Sequence, residues 1–193
     1  TFNDILMARK KLVDSLVPMD ADLNSVCLDT QANVDLVDAL KGLFHDDKEV
    51  SRQYREGYIG RTSGFSFMEN TLLPIHTTGT DDGTGDYLTN GANQTGSTLT
   101  VNTGTGTFKA GDIIMIQDVY RVHPETKAST GKLMQFVVTS DVSASATSIP
   151  ISPAIVGSGA TQNGNAAAGT GKAIYKRESD ESTAIGASAD YNI

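Results

Sequence analysis

The sequence predicts an α+β protein in which a helical segment precedes an antiparallel β segment. Before Leu73, apolar residues recur at helical spacing, whereas later runs such as "STLTVNT" alternate between apolar and polar residues. Most of the 19 glycines lie between Ile75 and Tyr175, where Ser and Thr are also concentrated, and this composition is typical of turns between short strands. We therefore expect a domain boundary near Pro74.

A capping box predicts that the first helix begins at the start of the chain. The Thr1 side chain can accept a hydrogen bond from the amide of Asp4, while the Asp4 carboxylate reaches back. Apolar residues then follow at helical spacing until Pro18 ends the pattern. The next apolar run, "SVCLDT", is short and therefore suits a buried strand around Cys27.

Two further helices are predicted after this strand. Thr30 is the expected N-cap residue of the second helix, and Asp35 and Asp38 are expected on its exposed side. Its apolar stripe comprises Val34, Val37, Leu40, Leu43 and Phe44. The third helix is predicted over residues 47–56, followed by Gly57 as the residue that ends it. Helix, strand and helix with short links indicate an α/β or α+β layer rather than a helix bundle.

The glycine-rich segment begins with strands that predict a hairpin. In "STLTVNT", Leu99 and Val101 fall on one face. The longer run "GDIIMIQDVYRV" is interrupted by Gln117 and Asp118, where we expect a bend or bulge. The run "KLMQFVVT" follows after a short loop, so the two runs predict an antiparallel hairpin.

Two more strands complete the predicted β unit. In "SATSIPIS", Ile149 and Ile151 lie on the same side, and Pro150 indicates an edge strand because proline lacks a ladder N–H. The segment "GSGATQNGNAAAGTG" is a low-complexity loop, and "KAIYKRE" is the last strand. Short strands at this spacing predict a small antiparallel barrel or a sandwich.

Composition and charge exclude several classes of protein. The 193 residues carry 15 basic and 23 acidic side chains, and the net charge of -8 argues against a nucleic-acid-binding surface. Cys27 is the only cysteine, which excludes an internal disulfide and a thiolate zinc site. We find no signal peptide and no apolar run of membrane-spanning length. Because the chain begins at Thr1 and ends abruptly at "ADYNI", we expect a piece of a longer protein.

Asp112, Asp118 and His123 are the first candidates for catalysis, because they lie in or beside the longest apolar run. Asp112 follows a glycine at a turn, where an aspartate can bind neighbouring backbone amides. Asp118 sits at the predicted bend, and His123 precedes Pro124 in a loop. No GxSxG motif is present, so we interpret all three as structural residues and predict no catalytic residue.

The remaining motifs predict neither a cofactor nor a metal. His45, His76 and His123 form no i, i+4 pair, and the HExxH motif is absent. The stretch "GTGK" at 169–172 resembles the end of a phosphate-binding loop, but the first glycine is missing and Ala173 replaces the magnesium-binding Ser or Thr. We expect this stretch to be a loop that leads into a strand.

A glycine-rich loop with three acidic residues is the first candidate for contact with a partner. The stretch "TDDGTGD" contains Asp81, Asp82 and Asp86 but lacks the calcium-binding EF-hand pattern. Two interpretations stay open. The loop is either solvated without a partner, or it docks on a basic patch of another subunit, where charge pairing would set the register of the contact.

A mixed-charge helical face is the second candidate surface. Arg52, Tyr54 and Arg55 lie on the predicted third helix beside several acidic residues. Such a face is usually solvated, although arginine and tyrosine are also typical of interfaces. We therefore name these three residues as a candidate interface.

An ordered set of segments resembles the major coat proteins of tailed bacteriophages, and among them the podovirus coat type. The set begins with "NVDLVDALKGLFHDDKEVSRQYREGYIGRTSGFSFMENTLLP" and continues with "NGANQTGSTLTV", "FKAGDIIMIQDVYRVHPETKASTGKLMQFVVTSDV" and "SIPISPAIV". The resemblance covers about residues 1–156, and the tail after Tyr175 fits less distinctively. No single motif is a chemical signature, so the specificity lies in the order of the segments.

The resemblance implies a tailed-phage capsid fold of the Hong Kong-97 type with an extra β-barrel, the telokin-like insertion domain. Residues 1–74 would then belong to the axial domain, 75–175 to the insertion domain, and 176–193 would return to the axial domain. In this family a loop of the insertion domain bridges neighbouring capsomers by charge pairing, and Asp81, Asp82 and Asp86 match its position along the chain. The family provides no catalytic residues.

The resemblance also implies the partners and the location of the protein. We expect a non-enzymatic structural subunit of a phage or prophage that assembles with other copies into an icosahedral shell. Scaffolding and portal proteins are further expected partners, whereas specific nucleic acids and membranes are not. The expected location is the virion capsid, with the bacterial cytoplasm before assembly. The alternative is a carbohydrate-binding or hydrolytic β module, which would need exposed aromatic platforms or two carboxylates across a cleft.

Overall fold

A computed structural model of the chain describes residues 2–18, 24–40, 61–81, 86–102, 104–176 and 190–192. The chain divides into two compact units, one formed by residues 1–74 with 192–193 and the other by residues 75–191. The predicted third helix at 47–56 lies outside the described residues, and so do Thr1 of the predicted capping box and the candidate interface residues Arg52, Tyr54 and Arg55.

The first unit combines two helices with a small mixed sheet. Its elements are α1 (Phe2–Asp14), β1 (Ser25–Leu28), α2 (Thr30–Leu40), β2 (Arg61–Thr62) and β3 (Phe65–Glu69). The strand order is β1-β3-β2, in which β1 runs parallel to β3 and β2 runs antiparallel to it. Because α2 lies between two parallel strands, this part has the βαβ connection expected of an α/β layer.

The end of α1 differs from the prediction that Pro18 stops the helix. The helix ends at Asp14, and Leu16 takes a left-handed conformation with φ of 62°. The amide of Val17 donates to the Leu12 carbonyl at 3.0 Å, and the amide of Leu16 donates to the Val13 carbonyl at 2.9 Å. This pair of bonds is a Schellman motif, so backbone capping ends the helix before the proline is reached.

The structure corrects two details around β1 and α2. Cys27 is exposed, and the β1 side chains alternate between exposed and half-buried, so the predicted buried strand is covered on one face only. Asp29, not Thr30, caps α2, because its carboxylate accepts a hydrogen bond of 2.8 Å from the amide of Ala32.

The buried face of α2 is also shifted relative to the predicted stripe. Leu36 is 8% exposed and packs with Phe65 and Phe67 of β3, whereas Val34 is 57% exposed. Asp35 and Asp38 are exposed as predicted. Val37 is partly buried against the same cluster, so the stripe was correct at this position and wrong at Val34.

The second unit is built on an antiparallel sheet of five strands. Its strands are β4 (Ile75–Thr77), β5 (Gly96–Thr100), β6 (Ile113–Val122), β7 (Ser129–Val138), β8 (Ser148–Ile155), β9 (Ile174–Tyr175) and β10 (Asp190–Asn192). The five-stranded sheet has the order β5-β8-β7-β6-β9, and β4 pairs separately with β10. The few helices and the larger antiparallel sheet confirm the α+β prediction.

The apolar core of the second unit contains the residues that were predicted to face inward from the strands. Leu99 and Val101 are buried together, and so are Ile149 and Ile151, which confirms both predicted pairs. The rings of Tyr87 and Phe108 lie in the same cluster with their centroids 5.3 Å apart. With Phe136, which is also fully buried there, the core is built mainly from aliphatic side chains and three aromatic rings.

The hairpin of β6 and β7 contains the predicted bulge. The pairing register shifts between Met115 and Tyr120, and Asp118 has φ of 67°, which is a left-handed backbone. Ile116 and Val119 are both buried although they are three residues apart, because the bulge breaks the two-residue alternation. The hairpin and the bend are thus confirmed.

Pro150 does not mark an edge strand as we predicted, because β8 lies between β5 and β7. Its carbonyl accepts a hydrogen bond of 3.1 Å from Thr139, which lies just beyond the last residue of β7. The missing N–H of Pro150 therefore falls at the end of the β7–β8 ladder, one residue beyond the last pair of Val138 with Ile151.

The strands that the structure describes form an open sheet, and the closed barrel that we predicted is not observed. β5 and β9 stand at the two ends of the strand order. Single bridges join both of these edges to residues 87–90, because Leu88 pairs with Ala173 and Thr89 pairs with Val101. Residues 87–90 thus make only isolated bridges with the two edges of the sheet. They do not form a sixth strand that would close it by a continuous ladder from β5 to β9.

The segment predicted as a low-complexity loop is held by asparagine side chains. Asn163 accepts from the amide of Val156 at 2.9 Å and donates to the Ala154 carbonyl at 2.7 Å. The Asn165 side chain accepts from the amide of Tyr120 at 2.6 Å. The loop after β8 is therefore tied to β8 and to the β6 bulge region by side-chain hydrogen bonds.

Candidate functional site at the base of the acidic loop

The acidic loop, residues 81–86, begins at a buried residue. Asp81 is only 3% exposed, and its amide donates a hydrogen bond of 3.1 Å to the Thr107 carbonyl. Asp86 at the other end is exposed, and Asp82 lies outside the described residues. Asp81 and Asp86, which the sequence grouped together, therefore occupy different environments.

The chain leading into the loop is held against residues 105–108 by reciprocal threonine contacts. The amide of Thr80 donates to Thr107 Oγ1 at 3.1 Å, and the amide of Thr107 donates to Thr80 Oγ1 at 3.0 Å. A Cβ on Gly106 would lie 2.4 Å from the Asp81 Cα, and one on Gly79 would lie 2.0 Å from the Thr107 carbonyl oxygen. Glycine at both positions permits this close approach of the two backbones.

The far end of the loop is held by the same segment. The Asp86 Oδ2 accepts hydrogen bonds from the Thr105 amide at 2.6 Å and from Thr105 Oγ1 at 2.8 Å. The next residue, Tyr87, is fully buried, and its hydroxyl donates to the Gly106 carbonyl at 2.8 Å. Both ends of the acidic loop are therefore fixed to residues 104–108.

Burial and nearby acids alter the chemistry of Tyr87. Removal from solvent raises the pKa of its hydroxyl, and the negative charges of Asp81 and Asp86 raise that pKa further. Hydrogen bonds with the backbone of Ser145 and Ala146 act in the opposite direction. The net increase keeps the hydroxyl protonated, so that it can donate to Gly106.

A buried polar cluster lies beneath the first end of the loop and includes Asp112, His76 and Lys176. The Asp112 carboxylate, 2% exposed, accepts from the amides of Gly79 at 3.0 Å and Lys109 at 2.9 Å. Its other oxygen lies 2.8 Å from His76 Nε2, and the Lys176 Nζ lies 4.0 Å from Oδ2. The predicted role of Asp112 as an acceptor for turn amides is confirmed.

The three candidates for catalysis do not converge. Asp118 forms an ion pair of 2.6 Å with Lys172 at the sheet surface. The His123 Nδ1 accepts from the amides of Glu125 at 3.2 Å and Thr126 at 3.4 Å in its own turn. The histidine that meets Asp112 is His76, 36 residues earlier in the chain, and no local pattern in the sequence indicates that pairing.

The "GTGK" stretch forms a turn that leads into β9, as we predicted. The amide of Gly171 donates to the Thr89 carbonyl at 2.7 Å, and the amide of Lys172 donates to Thr89 Oγ1 at 2.8 Å. The Lys172 ammonium binds the carboxylate of Asp118, so it contacts the bulge of β6.

An exposed ion pair links the turn before β6 to the turn after β7. Lys109 Nζ lies 2.8 Å from Asp141 Oδ2, and the amide of Ala110 donates to Asp141 Oδ1 at 3.0 Å. The hydrogen bond from Lys109 lowers the pKa of the Asp141 carboxyl, and the same bond raises the pKa of the Lys109 ammonium. Both groups are half-exposed or more, so solvent screens their attraction.

The described residues contain neither a grouped set of metal ligands nor a membrane-spanning helix. Within residues 2–18, 24–40, 61–81, 86–102, 104–176 and 190–192, no three His, Cys, Asp or Glu side chains are grouped as a metal site would require. Across these same ranges, neither helix has the length and apolar character needed to cross a membrane.

Comparisons with known proteins assign the family. A family model described as "P22 coat protein - gene protein 5" matches residues 2–174, which is most of the chain. Among solved structures, the chain is similar to the CUS-3 coat protein I-domain with 20% sequence identity and a TM-score of 0.31. That match covers 56% of this chain and 100% of the other. The comparison with curated proteins gave no match. The extent of the family match shows that the chain belongs to the P22 coat protein family and is a structural subunit of a phage capsid.

Proposed function

We propose that the acidic loop of this capsid subunit makes a charge contact with a neighbouring copy of the coat protein in an icosahedral shell. The observation that carries the proposal is that both ends of the loop are fixed to residues 104–108, through the Asp81 amide and the Asp86 carboxylate. These contacts fix the two ends of the loop, Asp81 and Asp86, at defined places on the subunit. Charge pairs at such contacts set register and partner choice.

The three acids of the loop take different roles in this proposal. Asp81 is buried and acts through its backbone as an anchor, so it makes no direct charge contact with a partner. Asp86 is exposed, and one carboxylate oxygen binds Thr105. Asp82 is the main candidate for the contact, and its expected partner is a basic surface of another subunit.

The compact unit of residues 75–191 supports the assignment of residues 75–175 to an insertion domain. Residues 1–74 would belong to the axial domain, and residues 176–193 would return to it. Arg52, Tyr54 and Arg55 stay candidates for a second interface. We infer that such interfaces join many copies through contacts that are individually weak.

Partners other than coat subunits belong to the same proposal. Scaffolding and portal proteins would act during assembly, which would start from subunits in the bacterial cytoplasm. The net charge of -8 supports a shell that binds neither a specific nucleic acid nor an anionic membrane surface. The separation of Asp112, Asp118 and His123 supports a non-enzymatic role, and the family match does not favour a carbohydrate-binding or hydrolytic module.

Charge reversal at Asp82 tests the contact. In the assembling coat protein, Asp82→Lys is expected to reduce the yield of closed shells seen by electron microscopy while subunit folding is unchanged. The matched control is Glu125→Lys, which makes the same change of charge at an exposed position in the β6–β7 turn. Normal shell yield from Asp82→Lys, or an equal loss from both variants, would count against the contact.

A further inference from the structure

Lys176, the residue that follows β9, is buried in the second unit. Its side chain is 1% exposed, which is rare for lysine because the ammonium must be separated from water. Burial of an unpaired charge would cost several kcal/mol by usual estimates, so such a group is retained only with compensating contacts. The contacts of this ammonium therefore indicate what its charge does.

The Lys176 ammonium is bound mainly by backbone carbonyls at the base of the acidic loop. Its Nζ donates to the Gly79 carbonyl at 2.9 Å and also to the Asp81 carbonyl. The Asp112 carboxylate lies 4.0 Å away, and the ammonium lies 5.5 Å from the centroid of the Phe108 ring. Two carbonyls, a carboxylate and an aromatic face together form a site for a cation.

Both polar groups of Gly79 are bound by members of the buried cluster. Its amide donates to Asp112 Oδ2 at 3.0 Å, and its carbonyl accepts from Lys176 Nζ at 2.9 Å. The next bond along the chain joins Lys176 to the Asp81 carbonyl, where the acidic loop begins. The ammonium thus links the end of β9 to the start of the loop, 95 residues earlier in the sequence.

We propose that Lys176 is a positioning residue for the acidic loop, with its ammonium acting as a built-in cation that fixes the loop base. The apolar core of the sheet is made of other side chains, and the ammonium meets it only at the Phe108 ring, so we expect its charge to act on the loop base rather than on the sheet. The consequence for shell assembly rests on the proposed function of the loop. The positioning itself is measured on the isolated chain and does not depend on that function.

Amide hydrogen exchange on the 193-residue chain tests the proposal with Lys176→Met, which keeps the aliphatic stem and removes the charge. The amides of Asp81 and Thr107 are expected to exchange roughly ten to a hundred times faster, since hydrogen bonds to a charged group are lost. The amides of Gln94 and Val122, which bond elsewhere in the unit, are expected to keep their rates. Lys109→Met is the matched control, because it removes an exposed lysine charge nearby.

Two results would overturn the proposal. If all four amides exchange faster by the same factor, or if Lys176→Met does not fold, the ammonium supports the whole unit rather than the loop. If no amide changes its rate, the ammonium positions nothing. If loop exchange increases as expected but Asp82→Lys assembles normally, Lys176 positions a loop whose contact role is wrong.

Chemical rescue separates a cation site from a packing role. Lys176→Ala removes the side chain beyond Cβ, and n-propylammonium has the size and charge of the missing part. Added n-propylammonium is expected to restore slow exchange at Asp81 and Thr107, whereas 1-propanol and sodium chloride at matched concentration are not. Equal rescue by 1-propanol, or no rescue by the amine, would contradict a cation site.

Discussion

Tyr87 and Gly104 are in such close contact that the glycine has no room for a side chain. A Cβ on Gly104 would lie 2.5 Å from Cδ2 of the Tyr87 ring, and that ring is fully buried against Phe108. The Tyr87 hydroxyl in turn binds the Gly106 carbonyl. The glycine-rich segment after β5 therefore packs directly against Tyr87, the residue that follows the acidic loop.

Gly104→Ala is expected to destabilise the second unit by about 1–3 kcal/mol, because the added methyl group overpacks the Tyr87 ring. Gly169→Ala is the matched control, since its Cβ would lie no closer than 3.5 Å to the Lys172 side chain. That substitution should change stability by less than about 0.5 kcal/mol. Urea unfolding of both variants measures the difference, and equal effects would show that the Tyr87 contact relaxes freely.

Tyr87 should contribute to loss of stability at alkaline pH. Burial raises the pKa of its hydroxyl in the folded state, so its contribution to stability is fully present below the unfolded-state pKa near 10 and declines as pH rises through the higher folded-state value. Tyr87→Phe removes this titration. The decrease in Tm between about pH 8 and pH 10.5 should therefore be smaller in the variant, and an equal decrease in both proteins would contradict the assignment.

Asp112 and Asp118 should differ strongly when each is changed to asparagine. Asp112→Asn is expected to cost about 3 kcal/mol or more, because the buried Lys176 ammonium loses a nearby negative charge. Asp118→Asn should cost less than about 1 kcal/mol, because its ion pair is exposed and asparagine tolerates the left-handed backbone at the bulge. Equilibrium unfolding compares them, and a mild Asp112→Asn would refute the importance of the cluster.

The Lys109–Asp141 pair predicts a pH dependence in acid. Because Lys109 lowers the folded-state pKa of Asp141, the pair stabilises the protein above the ordinary aspartate pKa and the contribution is lost as pH falls through the lowered value. Asp141→Asn should thus lower Tm at pH 7 and have less effect below about pH 3. Raising the salt to about 1 M should reduce the effect at pH 7 as well, since the pair is exposed. An effect that persists unchanged at low pH would exclude the ion pair as its source.

Local patterns predicted the elements of the β unit well. The alternation around Leu99 and Ile149, the hairpin and the bend at Asp118 depend on neighbours in sequence, and all of them are confirmed. The errors arose where a neighbouring strand decides the outcome. Pro150 indicated an edge from its own chemistry, yet β8 is central because it pairs with β5 on one side and with β7 on the other.

The acidic loop shows the same limit at the candidate site. Asp81 and Asp86 look equivalent in sequence, but packing buries the first and leaves the second exposed. Gly79 and Gly106 permit this packing. In the sequence they look like any other loop glycines, because the need for glycine arises only from the close approach of the two backbones in the folded protein. No pattern within a window of sequence distinguishes the buried acid from the exposed one.

By itself, the sequence determined the first two helices, the hairpin with its bend, the inward-facing residues of the sheet such as Leu99 and Ile149, and the family, because each depends on local periodicity or on the order of segments. The tertiary structure alone decided that the sheet is open and that His76, Asp112 and Lys176 meet beneath the acidic loop. His76 and Asp112 are 36 residues apart, and Lys176 lies 97 residues after Gly79, whose carbonyl it binds. Burial of a charge depends on which distant groups compensate it, and that compensation exists only after the chain has folded.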